Sequence, residues 1–244
     1  MSIATPSTEE DDKDTSVFEL DLELAPLPTY KAASTTSVDF DGLLDPPLLL
    51  HEDLAQGCGG QLWPAGMMLA SYLLRERGDG IKAAESIVEL GAGGGLVGLA
   101  LALGVAPKAP MHLTDQLPML ALMQRNISLN PSLTTPVIPS IYDWGSPVSS
   151  SLPSHPDILL AADCVYFEPA FPLLLQTLRD LIGPKTTCYF CFKKRRRADL
   201  GFVKEMKKAF SVEDVLEQGE VGQRWRRESV FLYIIRQKGT KIER

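Results

Sequence analysis

The 244-residue sequence holds little cysteine and less histidine: Cys58, Cys164, Cys188 and Cys191, and His51, His112 and His155. Three single, scattered histidines offer no ligand cluster, so no metal is expected, and four cysteines in a chain this long make no disulfide framework. Cys188 and Cys191 have C-x-x-C spacing, but they fall in TTCYFCF, which reads as a strand. A strand turns positions i and i+3 to opposite faces, so two strand cysteines are expected rather than a shared metal or redox pair. No apolar stretch reaches the roughly 20 residues that span a bilayer, and the start lacks the basic-then-apolar pattern of a secretory signal. The expectation is a cytoplasmic protein with no membrane partner.

Positive charge is almost absent from the first 24 residues, where Glu9, Glu10, Asp11, Asp12, Asp14, Glu19, Asp21 and Glu23 face only Lys13. That segment alone accounts for the formal charge of −7, leaving the rest of the chain near neutral. Residues 1–16 have almost nothing to bury and read as a disordered acidic tail. A chain starting at Val17 is expected to keep its melting temperature. A large loss, read by thermal melting, would show that the tail docks on the body.

With 45% hydrophobic and 23% charged residues the composition suits one soluble α/β domain over 17–244, with an N-terminal β/helix extension over about 17–77. FELDLEL (18–24) alternates as a half-buried strand does, PLLLHEDL (47–54) suggests a second β-element, and WPAGMMLASYLL carries Pro64 where a first helical turn tolerates it. Strand-like and helix-like segments then alternate: SIVEL and a helix from Leu96, MHLTD and a helix over about 117–129, PVIPS, DILLAA and a helix over about 169–182, TTCYFCF and a helix over about 200–210. Such alternation predicts right-handed crossovers and a mainly parallel sheet covered on both faces. SVEDVLE and ESVFLYIIR follow with no helix expected between them, which predicts an antiparallel terminal hairpin.

In such a sheet, ligands bind beyond the carboxyl ends of the strands. After the first strand comes ELGAGGGLVG, where Gly91, Gly93 and Gly95 free the backbone for positive φ or close approach. After the second comes Asp115, 24 residues beyond Gly91, where a carboxylate can accept from both hydroxyls of a ribose. A glycine-rich turn alone serves dinucleotides, phosphates or only a tight bend; the acid favours a nucleoside. No Gly-Lys-Ser/Thr follows, which disfavours a P-loop. A nicotinamide dinucleotide is less easily excluded, but the terminal hairpin and the later turns favour another nucleoside.

VELGAGGGLVGLALA, LTDQ, YDWG and LLAADCVYFEPAFPLLLQTL together resemble the seven-β-strand, S-adenosylmethionine-dependent methyltransferases, in the branch called methyltransferase family 16, which contains protein-lysine methyltransferases. The resemblance spans roughly 61–236 and implies a Rossmann-like seven-stranded sheet with an antiparallel C-terminal hairpin and S-adenosylmethionine as cofactor. It implies cofactor contacts from Glu89, Gly91, Ala92 and Gly93, a ribose carboxylate at Asp115, Trp144 on the adenine with Asp143 nearby, and Ala162 in the lining. Trp63 matches a tryptophan covering the site; a core-packing role for either tryptophan stays open.

Methyl transfer from sulfur to an amine is an in-line displacement and needs a neutral amine, whereas a free lysine has a pKa of about 10.4. The resemblance places Asp163-Cys164-Val165-Tyr166 where the acceptor meets the sulfonium. Asp163 would orient the amine and receive or relay its proton, and Tyr166 would hydrogen-bond it and shape a channel; a helix-capping Asp163 is the alternative. FKKRRRAD and DCVYFEPAFPLLL are most similar to fungal-type members that methylate a lysine of translation elongation factor 1-alpha, so a protein substrate and a monomeric enzyme are expected. The basic run 193–197 and GQRWRRES (222–229), expected in the hairpin turn, would steer an acidic surface or be merely solvated. Nucleic acid is a weaker reading, because DCVY replaces the Asn-Pro-Pro-Tyr type of turn. A small-molecule methyltransferase and an idle nucleoside-binding module remain alternatives.

Overall fold

The computed structural model describes residues 32–216 and 219–239; the expected tail and the expected strand over 18–24 lie outside them. The chain first forms β1 (Ser34–Val38) and β2 (Leu48–Glu52), an antiparallel pair standing apart as a two-stranded sheet. Then follow α1 (Pro64–Glu76), α2 (Gly78–Ala83), β3 (Ile87–Leu90), α3 (Leu96–Gly104), β4 (Met111–Asp115), α4 (Leu117–Ser128), β5 (Val137–Ile141) and β6 (Ile158–Ala162). The C-terminal part holds α5 (Phe171–Leu181), β7 (Thr187–Lys193), α6 (Arg197–Ala209), β8 (Ser211–Asp214), α7 (Gly219–Glu228) and β9 (Val230–Arg236).

Seven strands make one sheet in the order β5-β4-β3-β6-β7-β9-β8, parallel except for β9, which runs antiparallel to both neighbours. β3 is buried at every residue and β6 at all but its last, as strands covered on both faces must be. α1 and α3 bury Leu69, Leu73, Leu99 and Leu101 against the face bearing Ile87, Leu160 and Cys191. α5 and α6 cover the other face, which bears Val88, Leu159, Cys188, Phe190 and Phe192. Cys188 and Cys191 therefore pack on opposite sides of the sheet.

β1 has no apolar alternation to mark it in the sequence. Pairing holds it, with Thr36 Oγ1 donating to Glu52 Oε1 at 2.9 Å. Two asparagines then tie β2 to the main fold: Asn126 Oδ1 accepts from His51 N at 2.7 Å and Asn130 Oδ1 from Leu49 N at 2.9 Å.

The last two strands pair antiparallel as expected, but α7 separates β8 from β9 where no helix was expected. Its Val221 and Trp225 are four residues apart and share one helical face. Trp225 is buried with its ring edge-on to Tyr72 of α1, centroids 6.2 Å apart. The arginines around it are therefore on a helix rather than in a turn, and Arg224 Nε pairs with Glu228 one turn on at 3.0 Å. The helix after β7 also starts earlier than expected, at Arg197, because the Asp199 carboxylate accepts from the amides of Arg195 and Arg196 and so caps its first turn.

Candidate active site

A pocket of about 740 Å³ opens at the carboxyl ends of β3 to β6, where the chain connections change direction across the sheet. Every site residue expected from the sequence lines it: Trp63, Glu89, Gly91, Ala92, Gly93, Asp115, Asp143, Trp144, Ala162, Asp163 and Tyr166. The sequence reading did not anticipate His51, Glu52, Gly57–Gly60, Met119, Phe167, Leu173 and Arg195, which line it too.

The glycine loop has φ of 60° at Gly91, 56° at Gly93 and 87° at Gly95, and Gly95 caps α3 in the left-handed conformation. A Cβ at Gly91 would stand 3.0 Å from Cys164 Sγ and 3.1 Å from Cζ2 of Trp144, so this glycine lets the loop approach the pocket wall. At Gly93 a Cβ would meet Gly59 O at 2.4 Å. The crowding there comes from protein: residues 57–60, the GCGG stretch, lie across the loop as a lid. The lid is fastened by Asp53 N donating to Gly60 O at 2.8 Å and by Trp63 Nε1 donating to Cys58 O at 2.8 Å. A second glycine cluster upstream of the first was the only sequence signal for it.

Three carboxyl groups gather on the cofactor side. Asp115 Oδ2 accepts from Gly93 N and Oδ1 from Gln116 N, each at 2.7 Å, so the acid closing β4 also anchors the glycine loop. Burial raises the Asp115 pKa, the two amides oppose that, and nearby Asp143 adds to it. Glu89 is buried, and its Oε2 accepts from Gly98 N at 2.8 Å. Burial first, and Asp115 after it, push its pKa up to about 8 against that hydrogen bond. Such a cluster favours a ligand that brings positive charge.

Glu89 sets a pH dependence. Its carboxyl binds a proton more tightly in the folded than in the unfolded chain, so its contribution to stability is full below about 4.5 and is lost as pH rises to about 8. Glu89→Gln is expected to flatten the fall in melting temperature over that window, by several degrees at pH 8. An unchanged slope would remove Glu89 as its source.

The acceptor side is built on the turn after β6. Asp163 has φ of 57° and is buried, yet its N still donates to Cys191 O at 2.8 Å, keeping it in register with β7. Its carboxylate is held by the Arg195 fork, Nη1 to Oδ1 at 2.8 Å and Nη2 to Oδ2 at 2.9 Å, and Lys193 N donates to Oδ1 at 3.1 Å. Asp163 does not cap the helix that follows near Pro169, whose short first turn and α5 have Phe167 and Ala170 at their N-caps with no side-chain bond; Asp199, which accepts from the amides of Arg195 and Arg196, caps α6. Tyr166 is exposed at the rim beside Phe167 and Leu173. Partial burial and the neighbouring Cys58 side chain raise its pKa, so its hydroxyl stays protonated. Arg196 donates from Nη2 to Tyr166 O.

In the basic run Arg195 and Arg196 are bonded to the site and its flank while residues 194–197 all stay exposed. Among the described residues no group of three or more His, Cys, Asp or Glu could hold a metal, and no helix is long and apolar enough to cross a membrane.

S-adenosylmethionine fits this pocket by chemistry. The volume suits a nucleoside with an amino-acid arm. The three carboxyls suit ribose hydroxyls and a sulfonium with its ammonium, Trp144 offers an aromatic face, and His51 Nε2, buried without a partner among the described residues, leaves a polar atom to satisfy.

Comparison with known proteins agrees. Residues 43–209 match the lysine methyltransferase family. The chain is 36% identical over 208 residues to "Protein-lysine N-methyltransferase EFM6" of Saccharomyces cerevisiae, covering 75% of this chain and 83% of that protein. It is 33% identical over 146 residues to "EEF1A lysine methyltransferase 3" of Xenopus tropicalis, covering 60% of this chain and 62% of that one. Among solved structures, the CcbJ methyltransferase of Streptomyces caelestis shares the fold with a TM-score of 0.50 at 12% identity, over 73% of this chain and 92% of that one.

Proposed function

The chain belongs to the lysine methyltransferase family, and from that premise we propose that its substrate is a lysine of translation elongation factor 1-alpha. The reaction is transfer of a methyl group to the ε-amine of a protein lysine, and S-adenosylmethionine, when bound, would supply an electrophilic methyl on its sulfonium. The elongation-factor assignment is supported by the substrate named for the Xenopus relative and by the likeness of FKKRRRAD and DCVYFEPAFPLLL to fungal enzymes of that kind. We further propose one catalytic domain over 17–244 acting in the cytoplasm, a reading that suits four free cysteines.

In this reading Asp115 would accept from the ribose hydroxyls, Trp144 would stack on the adenine with Asp143 nearby, and Glu89, Gly91, Ala92, Gly93 and Ala162 would line the rest of the cofactor. Trp63 and the lid exclude water. Oδ1 of Asp163 is filled by Lys193 N and Arg195, whereas Oδ2 takes one bond, so Oδ2 keeps an acceptor position for the incoming nitrogen. That oxygen would orient the amine and relay its proton to solvent at the exposed rim, and the Tyr166 hydroxyl oxygen would accept a second N–H, leaving the nitrogen lone pair free for the methyl group. The carrying observation is that Asp163 and Tyr166 share one pocket with the glycine loop and the three carboxyls, so an acceptor entering at the rim would reach the pocket that would hold the methyl donor.

Incubation with tritiated S-adenosylmethionine and a cell extract, with and without nuclease, tests the reading. A nuclease-resistant labelled band at the size of the elongation factor, reproduced with the purified factor, is expected. Label in another protein would overturn the substrate, and label in nucleic acid or small molecules would overturn the acceptor class.

A further inference from the structure

Arg195 belongs to a basic run that reads as surface, yet it makes three separate contacts in the site. Its two terminal nitrogens hold both oxygens of buried Asp163, at 2.8 and 2.9 Å. Its guanidinium lies over the Trp63 ring, 5.1 Å from the centroid. Its own amide donates to Asp199 Oδ2 at 2.8 Å, which fixes the start of the side chain at the head of α6. Trp63 in turn donates to Cys58 O, so one side chain bridges the acceptor-side carboxylate and the lid on the glycine loop.

We propose that Arg195 is a positioning residue: it latches the lid over the cofactor pocket through Trp63 and holds Asp163 in one orientation as a charge-neutral pair. The lid function stands without the lysine reading; the consequence for the acceptor rests on it. A lone buried carboxylate would hold an arriving lysine as its ammonium, which cannot attack a methyl group, because an adjacent negative charge favours the protonated form. With its charge matched by the guanidinium, Asp163 orients the nitrogen without locking the proton on it. A planar fork that binds both oxygens and stacks on an aromatic face does this; a lysine in its place keeps the charge but neither the fork nor the stack.

Hydrogen exchange read by mass spectrometry on the full chain, with no cofactor added, tests the latch. The amides of Gly57 and Gly60 donate within the lid, to Leu54 O and Gly57 O, and that of Leu62 donates to Glu52 Oε2, so loosening of the lid is read at these amides. Arg195→Leu is expected to speed exchange over 54–63 by about tenfold, with little change over 87–90, and to speed release of S-adenosylmethionine several-fold. Arg195→Lys should fall between it and the wild type. With a methyl-accepting protein, Arg195→Leu should lower kcat with KM unchanged or lower, and shift the rise of kcat with pH to higher pH. A merely structural role would not move that profile.

Trp63→Leu removes the stack and leaves the Asp163 pair, so it reads the lid independently should the unpaired Asp163 unfold Arg195→Leu. It is expected to open 54–63 without shifting the pH profile. Wild-type exchange over 54–63 in either folded variant, or an unmoved pH profile in Arg195→Leu, overturns the proposal. Failure of the substrate reading looks different: wild-type enzyme would label no lysine while Arg195→Leu still opened the lid.

Discussion

Asp163→Asn is expected to leave S-adenosylmethionine affinity within a few-fold of wild type and to lower kcat by roughly 10²- to 10⁴-fold, the scale for loss of an acid-base group. Asparagine keeps the size and one acceptor oxygen, so one branch of the Arg195 fork stays bonded and the lid keeps most of its hold. What it loses is the second oxygen and the negative charge, the features that orient an amine and take its proton. The defect should shrink as pH rises and free amine becomes commoner. Single-turnover methylation at saturating cofactor, with calorimetric titration of the cofactor, separates the two effects. A lowered affinity of the same size would place the role of Asp163 in the lid, and full activity at neutral pH would reduce it to an anchor for Arg195. Tyr166→Phe, which loses one exposed hydroxyl, should cost less.

Asp115→Ala is expected to weaken S-adenosylmethionine binding about 30- to 1,000-fold, the equivalent of roughly 2–4 kcal/mol for hydrogen bonds to a charged group. The side chain does two things at once: it offers acceptors at the mouth of the pocket, and it holds the glycine loop through Gly93 N and its own turn through Gln116 N. Asp115→Asn separates them. Asparagine can keep one amide bond to the loop while losing half its acceptors, so its melting temperature should stay nearer wild type than that of Asp115→Ala. Calorimetric titration giving wild-type affinity for the alanine variant would remove Asp115 from the cofactor site.

Much of the site was legible because its signals are local. Alternating apolar segments fixed the order of strands and helices, and in a parallel sheet the residues just after each strand must come together at one end. Gly91, Gly93, Asp115, Trp144 and Asp163 are far apart in the chain, yet each sits in such a turn, and one pocket receives all of them. α7 was not legible: Val221 and Trp225 are a short helical signal among charges, and burial against Tyr72 of α1 is what stabilises the helix.

The α/β fold and the glycine loop with its carboxylate partner follow from periodicity and from what one turn demands of its own residues, and the role of the Asp163 turn is implied by the family resemblance. What those residues touch is set by packing between segments far apart in the chain. Gly93 is small to admit Gly59, more than thirty positions before it, and Asp163 is paired by Arg195, 32 positions after it. Such contacts depend on the register of β6 against β7 and on how the N-terminal extension crosses the glycine loop. A run of five cations therefore looks like a solvated surface until the fold swings one of them inward onto a buried carboxylate.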